Sequence, residues 1–577
     1  MPSPTLDLLD LDLFKPMAEH LTNDERIDIS YQRAYKIAKA YDMTMADVLD
    51  LTPKFWDFHQ DLIVPVDFAA FVLLVIQFNL VAGLVAPFAV DDPQYKSLLH
   101  RILSFDVCAQ YMLTEVGHGL DARNLETTVT LLPNGEFDLH TPNSYAAKFM
   151  PPTWLRQGFP RVAIVVARLI VSDEDRGLRP FIVWINDGER MCDGVISRLL
   201  PPRAGVKPLD HAITTFTHVR LPSWALLGSL EKPANERDNF LSINWRAGVG
   251  TLSLSLCIIP MMKISVFVAG KYSIQRQIGA PSKPIPIISL RTQQRPILHA
   301  LAQIAVFEAY AKESIRSFQD PDLEPTVQHA IGATFKAVLL QAAHSTLPAL
   351  SERCGARGLY AFNHIIEAQL DSRAIGIAEG DTLTLSIRLG TELILDRYHL
   401  PPARDPECIF AQHEKGLLEE SRAILQGIPG GHRSDEFNAS ILTRCQSIVE
   451  ATGHRLAYEA AVKAGVHCDL LSLYKIGVML HDPSWYIEHT NLSRERMFAE
   501  ESRALSTVLP QLDSLLDQTG VEPYCTSPIL SQDCWKAFVN ELETHAGGFH
   551  LQYDARCDIH HQSMFSVEVV PKLQEIY

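Results

Sequence analysis

At 577 residues the chain is long enough for several domains and a large core, and 47% hydrophobic with 21% charged residues is ordinary globular composition. A formal net charge of −17 excludes a general nucleic-acid binder, because the balance leaves no basic face. Ten cysteines, none in a Cys-x-x-Cys pair, point to free thiols in a reducing compartment rather than a disulfide framework.

The first residues, Met1-Pro-Ser-Pro-Thr-Leu-Asp7, lack the basic and apolar regions of a secretory signal. Residues 22–106 read as helices: Asn23-Asp-Glu-Arg26 opens a helical pattern, and Tyr31, Ala34, Ile37 and Ala38 keep one apolar face. Pro65 separates this from Phe68 to Val90, 23 residues without a charge. That run is long enough to span a bilayer, but Gln77, Asn79, Gly83 and Pro87 interrupt it, and Asp67 and Asp91 flank it. The expectation is a buried helical hairpin and no membrane span.

After Cys108 the period changes. Thr127 to Leu132, a Pro133-Asn134-Gly135 turn and Glu136 to His140 read as a β-hairpin. Val162 to Val171 and Pro180 to Ile185 are further strands, in a compact β region from about 107 to 235. The helical period then returns over roughly 240–279, 292–318 and 325–350, with Pro281-Ser-Lys-Pro-Ile-Pro286 as the sharpest loop. Gly427 to His432 is a loop or boundary, and the remainder reads as helical. The fold class is α+β, with regions 1–106, 107–235, 236–400 and 401–577.

Several stretches offer chemistry. Thr114-Glu-Val-Gly-His-Gly-Leu-Asp121 sits where helix gives way to strand; its paired glycines make either a plain tight turn or a loop whose amides face a polar ligand. It is not a Gly-x-Gly-x-x-Gly fingerprint. Lys271 to Gly279 closes a long helix with Arg276 near its C-terminal end, where arginine suits the helix dipole or offers its fork to phosphate. Lys271 is not a P-loop lysine, because Ser265 occupies the place of the first glycine. Cys354-Gly-Ala-Arg-Gly358 follows another helix, a usual place for a C-cap. Cys557 with His560 and His561 reads as polar surface, since adjacent histidines seldom ligate one ion well; no metal is expected.

Ala374-Ile-Gly-Ile-Ala-Glu-Gly-Asp-Thr382 places one carboxylate, Glu379, at the end of a small apolar run. Partial desolvation raises the pKa of such a carboxyl, and a carboxylate tuned upward serves as a general base near neutral pH. Gly380 leaves room for close backbone approach, and Asp381 or Thr382 caps a helix running to Leu393.

In this order, the stretches resemble the acyl-CoA oxidase branch of the acyl-CoA dehydrogenase family. Thr114-Glu-Val-Gly-His-Gly followed by Arg123-Asn-Leu-Glu-Thr-Thr is similar to that branch's Thr-Glu-x-Gly-His-Gly…Arg-Gly-Leu-Glu-Thr-Thr. Tyr272-Ser-x-x-Arg-x-Gln-x-Gly279, Thr292-Gln-Gln294, Cys354-Gly-x-x-Gly358 and Glu379-Gly-Asp381 resemble further family stretches. The likeness covers roughly residues 25–400 well and the C-terminal helical region more loosely. It implies FAD in a cleft between the β and central helical regions, an acyl-CoA substrate, a homodimer, and O2 or an electron-transfer flavoprotein as acceptor. By resemblance Glu379 is the base that removes the α-proton, Thr114 and Gly119 lie along the flavin, and Arg276 meets the FAD pyrophosphate, commonly of the neighbouring subunit. Gln293, Gly355 and Gly358 are further cofactor contacts on the same ground.

The chain also departs from the pattern. The oxidases' Lys-Trp-Trp-Pro-Gly-Gly becomes Lys148-Phe-Met-Pro-Pro-Thr153, and proline for glycine removes an amide donor at the expected flavin edge. Asn124 replaces a glycine, Leu120 a small polar residue, and Ala378 the aromatic residue before the base, which widens the acyl channel. These changes suggest a specialised acyl chain of secondary metabolism. The alternative is a non-catalytic acyl-CoA-binding relative that has lost flavin, motivated by Pro151 and Pro152. Gln-Glu-Ile-Tyr577 is not a Ser-Lys-Leu address, so the expected location is intracellular, peroxisomal or cytoplasmic.

Overall fold

In the computed structural model, which describes residues 3–15, 21–206 and 209–547, Thr22 caps the first long helix, α1 (Asn23–Tyr41). Its hydroxyl accepts from the Glu25 amide while the Glu25 carboxylate accepts from the Thr22 amide, a reciprocal capping box. Tyr31, Ala34, Ile37 and Ala38 are all buried, as their helical spacing predicts. The Cys557–His561 stretch lies outside the described residues.

The uncharged run forms α2 (Phe68–Ala89), a single continuous helix and not the expected hairpin. Gln77 and Asn79 do not break it, because Ile76–Ala82 widens into a π-turn and their side chains find partners on neighbouring segments. Gln77 donates to the carbonyls of Ile102 and Val107 and accepts from the Ala109 amide. Pro87 also lies inside the helix. Helix α2 is long and apolar enough to cross a membrane, as is α4 (Trp245–Gln275) after it, but 89% and 94% of their apolar windows are buried within the protein. Between them, α3 (Pro93–Leu103) leads into the strands.

The main sheet holds β1 (Cys108–Met112), β2 (Thr128–Leu131), β3 (Phe137–His140), the long β5 (Arg161–Val171) and β6 (Glu174–Asn186), and β9 (Val219–Leu221), in the order β1-β5-β2-β3-β9 with β6 also on β5. A smaller sheet pairs β4 (Lys148–Phe149) with β8 (Ala212–Phe216) and β8 with β7 (Val195–Leu199). Strand β5 is apolar on both faces because both are covered. Val162 and Ile164 join the helical core, whereas Ala163, Val165, Ala167 and Leu169 join Phe181, Val195 and Phe216 between the sheets.

The helical part continues through α5 (Arg291–Phe318), α6 (Pro325–Arg353), α7 (Ile365–Ile377) and α8 (Thr382–Ile394). Then follow α9 (Ile409–Gln426), α10 (Cys445–Lys463), α11 (Cys468–Met479) and α12 (Arg494–Val508). Helix α6 packs against α4, α5, α7 and α10 and so forms the axis of this bundle. The Pro-rich 281–286 stretch is less irregular than expected: Ile285–Pro286 pairs antiparallel with Gln277–Ile278.

Candidate active site

The turn between α7 and α8 is built by its neighbours. Asp381 caps α8, accepting from the Thr384 amide at 2.9 Å, and the Thr382 hydroxyl reaches back to the Gly376 carbonyl at 2.9 Å. Gly380 sits at φ +97° and Glu379 at φ +51°, a left-handed conformation that costs a non-glycine residue on the order of 1 kcal/mol or more. The surrounding structure holds it there. Lys336, fully buried in the middle of α6, donates to the carbonyls of Ala378 and Gly380, each at 2.6 Å. Thr251 of α4 donates to the Glu379 carbonyl at 2.9 Å. Two side chains thus secure three consecutive carbonyls.

The Glu379 side chain is directed with equal economy. Its Oε2 accepts from Asn79 Nδ2 at 2.8 Å, and the same amide donates to the Arg246 carbonyl at 3.1 Å. Gly250 makes this approach possible, since a Cβ there would lie 1.2 Å from Oε2. The residue as a whole is half-buried, but the carboxylate is crowded among α2, α4 and α6, and its immediate surroundings set its pKa. Burial pushes it up to about 7, against the lowering by Lys336, the Asn79 hydrogen bond and Arg246. Burial likewise lowers Lys336 to about 8 and Arg246 to about 9. Arg246 donates to the carbonyls of Asn79 and Val48, while its Nη2 and the Asn79 Oδ1 are buried without a partner.

Strand β1 connects this carboxylate to the Thr114 turn. Tyr111 donates to Asn244 at the head of α4, and the Glu379 charge helps burial raise the Tyr111 pKa. Three residues on, the turn opens. Its frame is the fully buried Lys148–Glu115 ion pair at 3.0 Å; Lys148 also donates to the Leu113 and Val166 carbonyls, and Glu115 accepts from the Glu126 and Thr127 amides. Thr114 is half-buried and takes the Phe149 amide on its carbonyl. Gly119 is exposed, with open space where a Cβ would stand, and beside it Leu120 is 76% exposed. In the altered loop, the Pro151 carbonyl accepts from Ala212, and Thr153 is buried against Thr214 and Ser197.

The other sequence-predicted residues gather elsewhere. Arg276 ends α4, exposed, beside the 277–286 ladder. Gln293 donates to Ser273 and to the Arg353 carbonyl, each at 2.8 Å, which ties the ends of α4, α5 and α6 together. Gly355 turns the chain after α6 at φ +61°, and Gly358 packs so closely on Ser351 that a Cβ would lie 2.1 Å from its carbonyl oxygen. By the rise along α4 and α6, this group lies roughly 25–35 Å from the Glu379 turn. The fold therefore gathers Gln293, Gly355 and Gly358 near the Arg276 end of α4, away from Glu379, while Thr114 and Gly119 lie in the turn that follows Tyr111.

Sequence reading missed Asn79, Arg246, Gly250, Thr251 and Lys336. The one signal available is polarity in an apolar run, which in the sequence alone marks Asn79 as an interruption.

No family model matches the chain. It is 27% identical over 362 residues to the Arabidopsis thaliana protein acyl-coenzyme A oxidase 2, peroxisomal, a match covering 58% of this chain and 51% of that one. The chain spans about half the length of the curated relatives it matches first. Among solved structures, acyl-CoA oxidase3 from Yarrowia lipolytica superposes with a TM-score of 0.82 at 17% identity, covering 99% of this chain and 93% of that one. Acyl-CoA oxidase-1 of Caenorhabditis elegans, complexed with FAD and ATP, gives a TM-score of 0.73 at 18% identity over 93% and 89% of the two chains. The structural likeness shows an α+β, acyl-CoA oxidase-like fold shared along nearly the whole chain. The sequence matches are to acyl-CoA oxidases as well, and their low identity fits a divergent relative of the acyl-CoA oxidase and acyl-CoA dehydrogenase family.

Proposed function

We propose that the protein is an FAD-dependent enzyme that removes the α- and β-hydrogens of an acyl-CoA thioester to give a trans-2-enoyl-CoA, with Glu379 as the base. The observation that carries this reading is a single carboxylate, held by its neighbours in a left-handed turn and poised at a pKa of about 7. Ionised Glu379 takes the α-proton on its carboxylate. Asn79 keeps one oxygen fixed, leaving the other to meet the substrate. FAD, when bound, supplies the acceptor for the β-hydrogen.

The donor chemistry fits such a cofactor. The Thr114 hydroxyl and the open ground at Gly119 suit the edge of a flat ring, and exposed Phe149 stands beside them. The exposed Arg276 guanidinium makes no side-chain hydrogen bond or ion pair among the described residues and suits a pyrophosphate. Its distance from the Glu379 turn favours a homodimer in which Arg276, with Gln293, Gly355 and Gly358, serves the neighbouring copy's FAD. On this reading residues 1–106, 107–235, 236–400 and 401–577 are the domains. Ala378, small and exposed before the base, suits a specialised acyl chain of secondary metabolism. The acceptor is O2 or an electron-transfer flavoprotein, and the location peroxisomal or cytoplasmic.

The test starts from the visible spectrum of the purified protein, followed by anaerobic mixing with an acyl-CoA panel and then air. We expect a flavin spectrum, FAD released on denaturation, and reduction slowed by roughly 10²–10⁴-fold in Glu379→Gln. Rapid recovery of the oxidised spectrum in air supports the oxidase. Reduction of the Gln variant at the wild-type rate overturns the base assignment. Protein that stays colourless after incubation with FAD favours a non-catalytic binding partner, with the Pro151-Pro152 loop as the cause.

A further inference from the structure

We propose that Lys336 is a positioning residue for Glu379: from the middle of α6 its ammonium group pins the carbonyls on either side of the carboxylate-bearing residue, fixing the turn that aims the carboxylate. The inference rests on the reading of Glu379 as the base.

A fully buried lysine needs a reason, since desolvating an ammonium group is expensive unless it is paired. Among the described residues Lys336 has no carboxylate within ion-pair distance, and its side-chain hydrogen bonds go to the two carbonyls of this turn. The turn in turn requires such a donor. Glu379 at φ +51° directs consecutive carbonyls toward the bundle interior, where without Lys336 those of Ala378 and Gly380 would lose their partner. Thr251 secures the carbonyl between them. Lys336 therefore binds backbone and not the carboxylate, which stays accessible for a proton.

The same ammonium acts on the carboxylate through space. Glu379 faces Lys336 from α6, Arg246 and the Asn79 amide from α4 and α2, Tyr111 from β1 and Cys257 from within α4. Lys336 itself faces Glu379 and Asp381. Of the influences that hold Glu379 down against burial, Lys336 is the largest. Removing its charge lets burial raise the carboxyl further, so more of the base is protonated at neutral pH and the acid limb of the rate profile moves to higher pH.

The experiment measures flavin reduction against pH for FAD-loaded Lys336→Met, Lys336→Arg and Glu379→Gln, with FAD content and Tm recorded for each. In Lys336→Met the acid limb should rise by about one pH unit and the rate at pH 7 fall by about fivefold. Lys336→Arg, which keeps the charge, should leave the limb near its wild-type place. Should the Met variant not fold, Lys336→Gln, which keeps an N–H donor but not the charge, should show the same limb shift. A folded, FAD-loaded neutral variant with an unmoved limb and wild-type rate overturns the inference. If Glu379→Gln reduces flavin normally, the failure lies with the base reading, and the positioning role falls with it.

Discussion

Glu379 depends on a residue with no side chain. Gly250 lies on α4 where a Cβ would meet Glu379 Oε2 at 1.2 Å and its Cδ at 2.3 Å, so any substitution must push the carboxylate off the Asn79 amide. Alanine favours a helix over glycine by about 1 kcal/mol, which offsets part of the strain. Gly250→Ala is therefore expected to fold and hold FAD while its flavin reduction slows by roughly 10²-fold, the size of effect that a displacement of about 1 Å produces. Stopped-flow reduction with Tm as the control checks it; an unchanged rate would show that the carboxylate has a second productive position.

At the scale of elements, how much is legible follows from what each signal encodes. Tyr31, Ala34, Ile37 and Ala38 announce α1 because burial repeats with the helix period, and β5 announces itself by a β-branched run covered on both faces. Glu379 and the Thr114 turn are legible as local motifs, and desolvation of Glu379 follows from its apolar neighbours. Lys336 and Asn79 are not, because they meet Glu379 only after 43 and 300 residues of intervening chain have folded. The hairpin expected over 68–90 shows the same limit: a polar residue in an apolar run looks like a break until its partner is known. Gln77 makes this testable. Its replacement by leucine keeps the volume but strips partners from the Ile102 and Val107 carbonyls and the Ala109 amide, where α2 meets the start of β1. Gln77→Leu should lose roughly 2–4 kcal/mol, seen as a lower Tm, while the acid limb of flavin reduction stays in place because the Asn79–Glu379 bond is retained.

The whole molecule joins a helical bundle to a sheet, and the join runs through buried charge as well as apolar packing. Arg161 opens β5, Asp210 precedes β8 and Tyr31 lies on α1, and all three are buried. Asp210 accepts from the Tyr31 hydroxyl at 2.8 Å and from Arg161 at 3.0 Å, and Arg161 also donates to the Tyr31 oxygen at 2.7 Å. Arg156 extends the link outward, reaching Asp28 of α1 at 2.6 Å and Asp210 at 3.4 Å. Such a cluster contributes little net stability when intact, because desolvation offsets most of the attraction, but removing one partner leaves a charge buried and alone. Asp210→Asn should therefore destabilise the protein by roughly 3–5 kcal/mol. The loss should fall at the seam: hydrogen exchange should quicken in α1 and at the start of β5, while α10, which packs on α5, α6 and α9, keeps its protection. Uniform acceleration throughout the chain would mean that bundle and sheet unfold as one cooperative unit, with the Arg161 cluster a part of its common core and not a hinge between two.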